Sequence, residues 1–135
     1  PSYPIYNYYY KQISLDSFVH IPFNDSEKGF SNGSAYGDLD NDGDLDMIVN
    51  NIDGIASVIE NTIEENHFVQ FKLSGGKFNS QGIGTKIKLY VNGEVYFAEN
   101  NPMRGYQSCI EPKLHFGLGN ITTIDSVHLE WPDMG

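Results

Sequence analysis

The sequence predicts an all-β fold in two parts. Three observations carry this. No stretch repeats its apolar residues at the helical period, and residues 60–66, with Glu60, Glu64 and Glu65, allow at most one short turn. Short runs rich in aromatic and β-branched residues recur along the chain. Asn92-Gly93, the strongest hairpin signal present, sits between two of them. Aromatics make up 13% of the 135 residues and charged residues only 19%, which suits a packed β-rich domain and not a disordered chain.

In chain order, residues 7–12 form an aromatic strand and 18–23 alternate loosely. Met47-Ile48-Val49, ending in Asn50-Asn51, reads as a short strand, as do residues 57–59. Residues 68–73 set Phe68, Val69 and Phe71 among polar neighbours. Residues 85–91 and 94–99 are the arms of the hairpin, and 124–131 close the fold. A two-residue loop at Asn92-Gly93 would pair Leu89 with Tyr96 and Lys88 with Phe97, mixing apolar and charged residues on both faces. A three-residue loop, with Gly93 left-handed as a bulge, pairs Leu89 with Val95 and Ile87 with Phe97. The buried face sets register, so the three-residue loop is expected. A boundary at residues 62–66 divides the chain into 1–63 and 64–135.

Asp38-Leu39-Asp40-Asn41-Asp42-Gly43-Asp44-Leu45-Asp46 places five carboxylates on alternate residues. At about 4 Å and an effective dielectric near 20, each like-charge pair costs roughly 4 kcal/mol. A loop that gathers them calls for a cation, and all-oxygen ligation points to Ca²⁺. Asp38, Asp40 and Asp42 stand at loop positions 1, 3 and 5, with Gly43 permitting the sharp turn. Asp44 would offer its backbone carbonyl, and Asp46 would close the shell directly or through water. An EF-hand needs a bidentate Glu at position 12 and a following helix; here that position is Val49, in a strand-like run. The bland alternative is a solvated acidic turn.

Ser34-Ala35-Tyr36-Gly37 and the Asp run after it resemble the calcium loop of FG-GAP/VCBS-type repeats. Gly82-Ile83-Gly84-Thr85-Lys86-Ile87, Arg104-Gly105-Tyr106-Gln107-Ser108, Leu114-His115-Phe116-Gly117-Leu118-Gly119 and Val127-His128-Leu129-Glu130-Trp131-Pro132 are together similar to the ASPIC/UnbV domain of cartilage acidic protein-like proteins. The resemblance covers roughly residues 30 to 133. It implies a partial β-propeller blade over 1–63, carrying the DxDxDG calcium loop, then a small β-sandwich or barrel-like domain over 64–135. It also implies calcium held by Asp38, Asp40, Asp42, the Asp44 carbonyl and Asp46. One blade cannot close a propeller, so further blades upstream in a longer parent chain are expected.

The remaining candidates are weaker. His20, His67, His115 and His128 have no zinc-type spacing, and a structural hydrogen bond is the expected role of His115. Gly82-Ile83-Gly84 lacks the Lys-Ser/Thr and helix of a phosphate loop and reads as a turn before a strand. Arg104 is either a cation presented to an anionic or sugar ligand, or a clamp on loop carbonyls. Cys109 is expected to be a buried thiol beside Ile110. Asn-x-Ser/Thr triplets begin at Asn24, Asn32 and Asn120 and have meaning only in a eukaryotic secretory pathway.

A net charge of −10 opposes phosphate backbones, so nucleic acid is not an expected partner. No run of 18 apolar residues occurs, so no membrane insertion by a helix is expected. No nucleophile–base arrangement stands out, so the chain is read as non-enzymatic. The expected function is a calcium-binding module of a secreted or cell-surface protein, in adhesion or in interaction with a protein or glycan ligand. The alternative is an accessory domain of an extracellular polysaccharide-processing enzyme whose catalytic part lies outside this chain. A calcium loop of this kind suits the extracellular space, the cell surface or the periplasm.

Overall fold

A computed structural model of the protein describes residues 3–14, 16–22, 28–62 and 66–132. The strands are β1 (Tyr9–Ser14), β2 (Ser17–Ile21), β3 (Ser31–Gly37), β4 (Asp46–Asn51), β5 (Ser57–Ile59), β6 (His67–Lys72), β7 (Lys86–Val91), β8 (Glu94–Glu99), β9 (Lys113–Gly119) and β10 (Ser126–Glu130). No helix occurs among the described residues. The strands form four open sheets, β1-β2, β3-β4-β5, β6-β9 and β10-β7-β8, and none closes into a barrel.

The core lies in the C-terminal half. Ile87, Leu89 and Val91 alternate along β7 and have no exposure; Leu114, Phe116 and Leu118 do the same on β9 and are buried. Period-two alternation points both triads to one side of their sheets. They form a single cluster, joined by Val69 and Phe71 of β6, Tyr96 and Ala98 of β8, and Ile121 and Ile124. Two sheets thus pack face to face as a small sandwich. Fully burying each such side chain contributes about 1.5–3 kcal/mol. At one end of it, buried Asn100 donates to the carbonyls of Gln81 and Gly82 at 2.8 and 3.0 Å. That pins the turn before β7 to the end of β8.

The register of the β7–β8 hairpin differs from the expected one. Leu89 pairs with Tyr96, Lys88 with Phe97 and Val91 with Glu94, so the loop is the two residues Asn92-Gly93. Both have positive φ, 51° and 82°, as a type I′ turn requires. The expectation assumed that Val95 and Phe97 face the core. They are instead 55% and 56% exposed, while Tyr96 and Ala98 carry the inner face of β8. The turn is also held from outside: Asn92 N–H donates to Asp125 Oδ2 at 2.8 Å.

Two strands went unforeseen. In β3, Ser-Asn-Gly-Ser-Ala-Tyr-Gly has no apolar alternation, and its pairing with β4 supplies what propensity does not. In β9 the Leu114–Phe116–Leu118 alternation was present in the sequence beneath two glycines. Cys109 is exposed, not buried. It bridges Met103 in extended backbone, and neighbours along such backbone point to opposite sides, so half-buried Ile110 turns inward and the thiol outward. The expected boundary and short turn fall partly on 63–65, and the Asn24 triplet and Phe23 on 23–27; these lie outside the described residues.

Candidate metal centre

The acidic loop joins β3 to β4, with Gly37 paired to Asp46 at its neck. Asp46 closes it. The residue is 3% exposed; its Oδ2 accepts the Leu39 N–H at 2.9 Å and its Oδ1 the Asn61 N–H at 2.9 Å. Within the loop, Asp42 N–H donates to Asp40 Oδ1 at 3.2 Å and Asp44 N–H to Asp42 Oδ1 at 3.0 Å, two successive Asx turns. Asn41 and Gly43 take positive φ, 65° and 97°.

These turns bring Asp38, Asp40 and Asp42 together, one carboxylate oxygen from each lying within 4.8 Å of the others. Asp38 Oδ1 is buried and has no hydrogen-bond partner among the described residues. The carboxylates of Asp44 and Asp46 stand outside this group. Three of the five expected site residues therefore converge. Asp46 has both oxygens occupied by backbone N–H groups, which suits a structural role or contact through water. Val49, at position 12, is a buried strand residue and no ligand. Hard-cation chemistry fits the trio: all oxygen, negatively charged and partly open to solvent.

The loop rests on the C-terminal sandwich, which the sequence did not show. A Cβ on Gly43 would lie 1.8 Å from the Phe68 ring, so only glycine fits beneath it. The Phe68 ring stacks on His115 at 5.3 Å between centroids and 9° between planes. Gln70 Nε2 lies 3.4 Å from Asp38 Oδ2 and 3.4 Å from His115 Nδ1. Phe68 and Gln70 share the outer face of β6, and Gln70 is registered opposite His115 on β9. Burial holds the His115 pKa below its ordinary value, and Lys113 adds to this, while Asp38 and Asp44 oppose it. His115 thus lies between the Phe68 ring and the Gln70 amide beside the acidic loop.

Arg104 is a loop clamp. Its Nη1 donates to the carbonyls of Asn101 and Met103, and its Nε donates to the Tyr36 hydroxyl at 2.8 Å. The guanidinium lies 5.3 Å from the Tyr36 ring centroid. The 101–110 loop is thereby tied to β3. Gly82-Ile83-Gly84 forms a turn held by Asn79, which bonds both backbone groups of Ile83 at 2.8 Å. His20 sits exposed between Tyr8 and Tyr10, and His128 is exposed on β10.

Residues 75–135 match the sequence model of the family described as ASPIC and UnbV. That span takes in β7 to β10 and the four downstream motifs, and leaves the acidic loop outside. No curated protein and no solved structure matches the chain.

Proposed function

We propose that this chain is a non-enzymatic, calcium-binding β module of a secreted or cell-surface protein that acts in adhesion or in binding a protein or glycan ligand. Asp38, Asp40 and Asp42 would hold the ion through their carboxylates, Asp44 through its backbone carbonyl, and Asp46 would keep the loop closed. The bound ion would supply positive charge that offsets the crowded carboxylates and fixes the loop. The observation that carries this reading is the convergence of three carboxylates within 4.8 Å beside the buried, unpartnered Asp38 Oδ1. Such an oxygen costs free energy until something positive or hydrogen-donating meets it.

The finer architecture belongs to the same proposal. Residues 1–63 would be an FG-GAP/VCBS-type blade with neighbours elsewhere in a longer chain. The β3-β4-β5 meander with the loop at its turn supports that. The net charge of −10 disfavours nucleic acid as a partner, and a calcium loop of this kind would suit the millimolar calcium of an extracellular, cell-surface or periplasmic setting.

Calorimetric calcium titration of the protein and of Asp42→Ala tests the reading. One calcium should bind the unaltered protein and none the variant, and chelator should lower the melting temperature of the former alone. At a calcium level about 100 times Kd, linkage amounts to about 2.7 kcal/mol. No heat of binding and identical melting with and without chelator would sink it.

A further inference from the structure

We infer that Gln70 of β6 is a positioning residue for the calcium loop: its carboxamide engages one oxygen of Asp38 and leaves the other for the ion, so that the sandwich helps to set the loop's calcium affinity. This rests on the calcium reading above and adds to it a residue outside the loop, 32 positions along the chain from Asp38.

The two oxygens of Asp38 have different surroundings. Oδ2 lies 3.4 Å from Gln70 Nε2, which donates to it. Oδ1 is buried and has no hydrogen-bond partner among the described residues. Asp38 directly follows Gly37, which pairs with Asp46 at the neck of the loop, and it is the first of the three converging aspartates. A second ligand oxygen from Asp38 would require Oδ2 to leave Gln70, so Asp38 is assigned to the ion through Oδ1 alone. Phe68 meets the loop at Gly43 through ring carbons and contributes shape, whereas Gln70 contributes a donor.

The neighbours of Gln70 decide which way its amide faces. Nε2 carries two hydrogens, and two acceptors lie 3.4 Å from it, Asp38 Oδ2 and His115 Nδ1. Turned the other way, Oε1 would face the carboxylate and be repelled by it. Nδ1 accepts when the ring proton is on Nε2, and burial of His115 favours the neutral ring that this requires. The ring is itself stacked on Phe68, and His115 is registered opposite Gln70. The β6–β9 pair thus holds the amide, and the amide reaches the loop. Each contact is long for a hydrogen bond and weak alone. Its effect lies in choosing which Asp38 oxygen is free. Removing an outer partner of a metal ligand typically weakens metal binding about 10–100-fold.

The test is a calorimetric calcium titration of the full chain and of Gln70→Met, which keeps the length of the side chain and removes the donor. The Kd of the variant should rise about tenfold, with one calcium still bound. A role in packing alone would lower the melting temperature in chelator and leave Kd within about twofold, and that result would overturn the inference. NMR of the unaltered protein gives a second reading that does not depend on the variant folding. The Gln70 side-chain amide signals should shift as calcium is added, with the same midpoint as the heat; signals that ignore calcium would overturn the inference. Absence of calcium binding by the unaltered protein defeats the metal reading and this inference with it. Calcium binding with an unchanged Kd in Gln70→Met defeats this inference alone.

Discussion

Leu89 is fully buried at the centre of β7, within the cluster that draws residues from both sheets of the sandwich, so its truncation leaves a cavity in close-packed surroundings. Leu89→Ala should cost about 2–5 kcal/mol, read as a drop in the denaturant midpoint; a loss under about 1 kcal/mol would contradict this core assignment. His115 gives a residue-scale prediction with a definite sign. Its pKa is lowered by burial, so the folded protein binds fewer protons than the unfolded chain. Its share of stability is intact above the unfolded value and is lost as pH falls through that value toward the folded one. A proton-titration midpoint for His115 at or above 6.5 would contradict this setting. The alternating apolar triad of β7 was legible from the sequence because period two needs no partner to be seen. The outward turn of Cys109 was not, since one apolar neighbour says nothing about which side of an extended segment faces the core.

At the scale of elements, the acidic loop was legible in its chemistry and invisible in its placement. Spacing alone gave Asp38, Asp40 and Asp42 their convergence and Gly43 its left-handed turn. That Phe68 fills the space where a Gly43 side chain would lie depends on how β6 meets the loop, and no local pattern encodes it. The same holds for the hairpin: Asn92-Gly93 announced the turn, but not that Tyr96 and Ala98 are the residues of β8 that pack against the core cluster. Gly43→Ala tests the contact. Ala at this positive φ is strained by about 1 kcal/mol or more, and the clash with Phe68 adds to that. Phe68→Ala in the same chain should remove the second part only. A double-mutant cycle by denaturation should therefore show coupling of about 0.5–3 kcal/mol, and strict additivity would mean that the loop does not sit against β6.

Over the whole molecule, stability is divided unequally. Among the described residues, six of the seven buried apolar residues belong to the sandwich, and Val49 lies before it. Nearly all of β1 and β2 is exposed, with Tyr10, Ile13 and Phe18 each more than 60% accessible. A two-stranded hairpin of this kind is marginal by itself. Residues 64–135 as a separate fragment should fold cooperatively, and residues 1–63 should not; strong amide protection in the isolated 1–63 fragment would refute that division. The sequence places the alternating strands and the acidic loop in different stretches, which is why a boundary at residues 62–66 is expected from it. It gave no sign that the second part supplies the floor on which the loop rests.

The central claim is that Asp38, Asp40 and Asp42 share one calcium ion against the Phe68–His115 platform. The most direct measurement is a crystal structure of the full chain grown in calcium, with anomalous scattering to identify the ion. The account predicts one calcium within about 2.3–2.6 Å of a carboxylate oxygen from each of the three aspartates and of the Asp44 carbonyl. Calcium bound elsewhere, or an acidic loop with waters alone among its carboxylates at saturating calcium, would contradict it.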